Sequence, residues 1–122
     1  MQDQLQEIRK ACEGLEYPSE SDTPFDVIQW PAAGAATAQS QVASHNRPGR
    51  KIEEVTPDDF FAELFEGDDG DRYRRLCATL EGHVKNLKIF RVGSGEVHVD
   101  IYLLGQSASG DWIGLHTISV ET

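Results

Sequence analysis

The sequence predicts an α+β fold: an α-β-α sandwich in which a mainly antiparallel sheet lies between helical layers. Three observations predict it. Apolar residues recur at helical spacing near the N-terminus and again between residues 60 and 87. From Lys88 onward the period changes to strand-like alternation. In the last strand, Trp112, Ile118 and Val120 occupy one parity and Ile113 and Leu115 the other, so both faces of the sheet need cover. The 122 residues make one domain, 1–122, large enough for a single core.

The elements follow in order. Leu5, Ile8, Cys12 and Leu15 stand three and four apart, which predicts a first amphipathic helix ending at Gly14. Pro18 and Pro24 bracket a tight polar stretch, and Phe25 to Trp30 reads as an imperfect strand. Residues 31–50 are rich in Ala, Gly, Ser and Gln with little to bury, which predicts a mobile loop. Thr56-Pro57-Asp58-Asp59 supplies an N-cap, a first-turn proline and acids at the positive helix end; Phe60, Phe61, Leu64 and Phe65 then carry a short helix to about Glu66. Gly67 to Asp71 breaks it. A third helix follows, with Tyr73, Leu76, Cys77, Leu80, Val84 and Leu87 on one stripe; Gly82 weakens it by about 1 kcal/mol relative to Ala. Lys88 to Val92, Gly93-Ser94-Gly95 and Glu96 to Leu104 form a hairpin with Val97, Val99, Ile101 and Leu103 on one face. Ser107 to Gly110 turns the chain into the final strand, completing a meander.

Charge narrows the function classes. Lys plus Arg number 11 against 21 Asp plus Glu, a formal net charge of -10. Such a field repels phosphate backbones, so no direct nucleic-acid binding is expected. It favours a basic partner, and it also serves solubility alone. Cys12 and Cys77 fall on apolar helix stripes and behave as small hydrophobes rather than as a disulfide framework. The first residues lack the basic start and apolar core of a signal peptide, and no apolar run approaches the roughly 20 residues of a membrane span, so a cytoplasmic protein with no membrane partner is expected.

Candidate chemistry is sparse. His98 and Asp100 share a strand face with His116 on the next strand, but no nucleophile, oxyanion loop or recurrent ligand spacing accompanies them, so no enzyme is expected and no cofactor. Asp68-Asp69-Gly70-Asp71 lacks the alternating carboxylates and late Glu of a calcium loop. Ser19-Glu20-Ser21-Asp22 by itself reads as a turn. Val120-Glu121-Thr122 runs straight out of the last strand, which would present the Thr122 hydroxyl and a terminal carboxylate at a fixed position.

An ordered set of short segments is more specific than any of these. It comprises Gly14-Leu15, Ser19-Glu20-Ser21, Pro24-Phe25, Trp30, Asp59-Phe60-Phe61, Asn86-Leu87-Lys88, Phe90-Arg91, Val99-Asp100-Ile101-Tyr102, Gly105, Gly114 and Val120-Glu121-Thr122. Over the whole chain except its middle loop, the set resembles the nuclease A inhibitor family, whose members block sugar-non-specific DNA/RNA nucleases. The resemblance implies an α-β-α sandwich and a 1:1 complex with a nuclease. It also implies that Glu20 pairs with a nuclease arginine and that Thr122 reaches the catalytic Mg2+ bound by the nuclease. Ser19, Ser21, Asp22 and Glu121 would complete the partner-binding set. Family inhibitors carry a tryptophan in the connection before the last long helix, where this chain has Asp68-Asp69-Gly70-Asp71-Arg72-Tyr73. That departure points to the alternative of an interaction or regulatory module with a different basic partner.

Overall fold

The computed structural model describes residues 2–32, 37–93 and 95–121. The chain runs α1 (Gln2–Cys12), β1 (Glu16–Tyr17), β2 (Thr23–Pro24), β3 (Asp26–Trp30), α2 (Ala38–Ser44), β4 (Ile52–Val55), α3 (Pro57–Glu66), α4 (Gly70–His83), β5 (Lys85–Val92), β6 (His98–Gln106) and β7 (Trp112–Val120). A five-stranded sheet in the order β3-β7-β6-β5-β4 is antiparallel throughout, and β1 and β2 form a separate two-stranded hairpin.

The two apolar parities of the sheet face two helical layers. Toward α1, α3 and α4, Ile89, Ile101, Leu103, Ile113 and Leu115 meet Ile8, Leu15, Phe61, Leu76 and Leu80. On the opposite face, Phe90, Val92, Tyr102, Leu104 and Trp112 pack with Ala38 and Val42 of α2. Among the described residues the sandwich is therefore lopsided, with three helices on one side and one short helix on the other.

That short helix corrects the expectation of a loop over 31–50. Thr37 and Ser40 form a reciprocal capping box, with Ser40 N–H donating to Thr37 Oγ1 at 3.1 Å and Thr37 N–H donating to Ser40 Oγ at 2.9 Å. Only Ala38, Gln41 and Val42 are buried, which suffices for a two-turn helix. Residues 33–36 of the same stretch, and Ser94 of the expected turn, lie outside the described residues.

Three further expectations shift. The third helix stops at His83, because Val84 is extended (φ -130, ψ 155) and Asn86 adopts φ 55 before the register settles into β5. Val84 and Leu87 thus continue the stripe in sequence but not in the helix. Val97 precedes β6 and is 51 % exposed rather than inward. Cys12 is buried as expected, whereas Cys77 is only half-buried; both are free thiols.

The α2 face is fastened by one side chain. Arg50 uses every N–H of its guanidinium: Nε to Glu96 (3.1 Å), Nη1 to Asp100 (2.6 Å) and Asn46 (3.0 Å), and Nη2 to the carbonyls of Val92 (3.1 Å) and His98 (3.2 Å). His116 Nε2 lies 2.7 Å from the other Asp100 oxygen. Burial pushes the Asp100 carboxyl up, but the hydrogen bonds from Arg50 and His116 together outweigh it and hold the group below its ordinary value. Asp100→Asn is expected to cost about 2 kcal/mol, since Arg50 loses its shorter ion pair but keeps Glu96. Thermal unfolding at pH 7 should report a melting temperature lower by about 8 °C. A depressed carboxylate stabilises above its unfolded value and ceases to do so as pH falls through its folded value. The two melting curves should therefore converge in acid.

Candidate functional site

The β1–β2 hairpin owes its position to aromatic packing below it. Tyr17 stacks on Phe60 of α3 at 5.6 Å between centroids and meets Phe25 edge-on at 6.3 Å, and Phe25 in turn meets Tyr73 edge-on at 6.2 Å. The Tyr73 hydroxyl donates to the Glu16 carbonyl at 2.8 Å, and Arg72 donates to the Glu13 carbonyl. Burial pushes the Tyr73 phenol up to about 12, so it stays a donor at neutral pH. Tyr73 is 3 % exposed, a core residue that props the hairpin and offers a partner no aromatic surface.

From that base the hairpin leans on β7. The buried Thr117 hydroxyl donates to the Pro24 carbonyl at 3.0 Å. At the hairpin tip, Glu20 N–H donates to the Val120 carbonyl (3.1 Å), and Val120 N–H donates to Ser19 Oγ (3.0 Å). Ser19 Oγ also donates to the Ser21 carbonyl at 2.8 Å, closing the turn. Segments about a hundred residues apart in sequence are thereby joined side by side.

The expected site residues divide accordingly. Glu20, Ser21 and Asp22 are exposed, and the carboxylates of Glu20 and Asp22 have no partner among the described residues. Ser19 is half-buried and acts within the fold as the staple to β7. Glu121 is held internally: Arg91 of β5 donates to its carboxylate, Ser119 Oγ donates to the same oxygen at 2.9 Å, and the Glu121 N–H donates to the Val97 carbonyl at 2.7 Å. The Arg91 bond, followed by that of Ser119, holds the Glu121 carboxyl below its ordinary value. Thr122 lies outside the described residues. Arg91 and Thr117 are supports of the hairpin and strand end that sequence reasoning missed. Arg91 sits at an inward parity of β5, and a charge on an apolar parity is the signal that marks it.

Beside the hairpin, a recess of about 380 Å³ opens toward the α3–α4 connection, with Glu16, Asp22, Glu63, Asp68 and Asp69 on its walls and no basic side chain among its lining. Among the described residues no three His, Cys, Asp or Glu side chains converge as a metal site, and no helix is long and apolar enough to cross a membrane. His116 and Asp100 do meet, on the sheet face opposite the hairpin, but their other partner is the saturated Arg50.

In class the molecule is a small α+β sandwich with an exposed acidic turn stapled beside its last strand. The family model for the nuclease A inhibitor-like protein matches residues 2–122, and the chain belongs to that family. Among curated proteins, none matches the chain.

Proposed function

We propose that this protein inhibits a sugar-non-specific, metal-dependent endonuclease by occupying its active site, through Glu20 and Thr122, in a 1:1 complex. The observation that carries the reading is the pair of hydrogen bonds joining Ser19 and Glu20 to Val120, which sets an exposed carboxylate beside the strand that leads to Thr122. Family membership supports a nuclease as the partner. The Glu20 carboxylate would accept a charge-assisted, bidentate hydrogen bond from a nuclease arginine. A Thr122 oxygen is a hard donor suited to the Mg2+ of the nuclease. Together they take the place of a scissile phosphate. The formal charge of -10 draws the protein to a basic cleft and keeps it off DNA. Two free thiols support a cytoplasmic setting. A second reading, a different basic partner, is favoured by one observation: Tyr73 is buried and does not replace the family's tryptophan.

Titration against a sugar-non-specific nuclease and, separately, against labelled duplex DNA tests the reading. Stoichiometric loss of nuclease activity without DNA binding is expected; DNA binding with full nuclease activity would refute it. The metal bridge has its own test. A protein ending at Thr122 should inhibit strongly with Mg2+ present, and both a C-terminal extension and deletion of Thr122 should weaken it. Equal inhibition constants for all forms, with and without Mg2+, would leave an inhibitor that merely covers the cleft.

A further inference from the structure

We propose that Arg91 is a positioning residue for the inhibitory edge: by holding the Glu121 carboxylate across the sheet, it fixes the direction in which the chain leaves β7. This rests on the nuclease-inhibitor reading above. Register shows the reach involved. Arg91 of β5 is opposite Ile101 of β6, which is opposite Thr117 of β7, so the guanidinium spans β6 diagonally to meet residue 121 on the same sheet face. Only a long side chain with a directional fork makes that connection. Glu121 is thereby attached three ways, through Arg91, Ser119 and the Val97 carbonyl, one residue beyond the end of the ladder.

The clamp also sorts the charges of the edge. Glu20 and Glu121 flank Val120, since the Glu20 N–H is bonded to the Val120 carbonyl. Arg91 neutralises the carboxylate that follows the strand, so that of the two acids flanking Val120 only Glu20 is left unpaired among the described residues. Tyr17, at the base of the hairpin, lies close enough to both Arg91 and Glu121 for each charge to act on its phenol, which places the clamp at the junction of hairpin and strand end. With side-chain exposures of 26 % and 42 %, the ion pair itself contributes little to global stability, so its removal separates positioning from folding.

The test compares wild type, Arg91→Gln, Arg91→Lys, Glu121→Gln and the double variant Arg91→Gln/Glu121→Gln. In the free protein, amide hydrogen exchange at Glu121 should accelerate about tenfold in Arg91→Gln while the melting temperature barely moves. Inhibition of the nuclease should weaken about tenfold in Arg91→Gln and in Glu121→Gln, with no further loss in the double variant and partial recovery in Arg91→Lys. Unchanged exchange overturns the clamp. Faster exchange with an unchanged inhibition constant, or additive losses in the double variant, overturns its positioning role. A wild-type protein that inhibits no such nuclease overturns the underlying reading and the positioning role with it, a failure visible before any variant is made.

Discussion

Glu20→Gln is expected to weaken inhibition by about 30-fold to several thousand-fold, the equivalent of about 2 to 5 kcal/mol for breaking one side of a desolvated charged pair. The amide keeps the shape of the side chain and removes its charge. Nothing in the fold depends on that charge: the carboxylate has no partner among the described residues, and the turn is held by the Glu20 backbone and by Ser19. The melting temperature should therefore stay constant while the inhibition constant rises. Asp22→Asn, two residues along the same exposed turn, is the control and should change the constant far less. If both variants inhibit like the wild type, Glu20 is a turn residue only and the phosphate-mimic mechanism fails.

Gly114→Ala is expected to cost about 4 kcal/mol or more, enough to lower the melting temperature by roughly 15 °C or to prevent folding. Gly114 lies in β7, paired with Leu104 on one side and Ile28 on the other. A Cβ built there stands 1.7 Å from the Leu103 carbonyl oxygen, an obstacle made of backbone in the neighbouring central strand. Relief requires moving two interior strands apart. Gly82→Ala makes the same chemical change with the opposite expected sign. That glycine is exposed within α4 with nothing within 4 Å of its added Cβ, so alanine should stabilise by about 0.5 to 1 kcal/mol. Thermal or chemical denaturation of the two variants settles both; a mild loss in Gly114→Ala would mean the strands tolerate separation.

The sequence made legible those elements whose side chains report a period. Phe60, Phe61 and Leu64 behind a Thr-Pro cap, and the alternation of Val99, Ile101 and Leu103, reach the structure nearly unchanged. The helix over 38–44 was not legible because its buried face is Ala, Gln and Val, too small and too polar to raise a signal above its Ala/Ser/Gln surroundings. The end of α4 was hidden for the opposite reason. Val84 and Leu87 keep helical spacing while the backbone has already turned extended at Val84 and passes through a positive φ at Asn86, changes that no apolar pattern records. At the site, the exposed Glu20 turn was readable as a segment, but the role of Ser19 was not. A hydroxyl that bonds a backbone amide 101 residues away leaves no trace in local spacing. Arg50 and Arg91 illustrate the same limit, since their partners are set by strand register.

Strand order carries a consequence for how the molecule comes into being. β7, late in the sequence, occupies an interior place between β3 and β6, and among the described residues β3 has no other strand beside it. During synthesis, Asp26–Trp30 and the hairpin before it therefore wait for β7 to emerge before they meet the ladder, the Thr117 hydroxyl and the Val120 amide that hold them. Such distant pairings close slowly. A nascent or prematurely terminated polypeptide lacks the stapled geometry of the Glu20 turn even where α3, α4 and the β5–β6 hairpin have formed. Assembly of that turn thus comes last, and it reports completion of the fold.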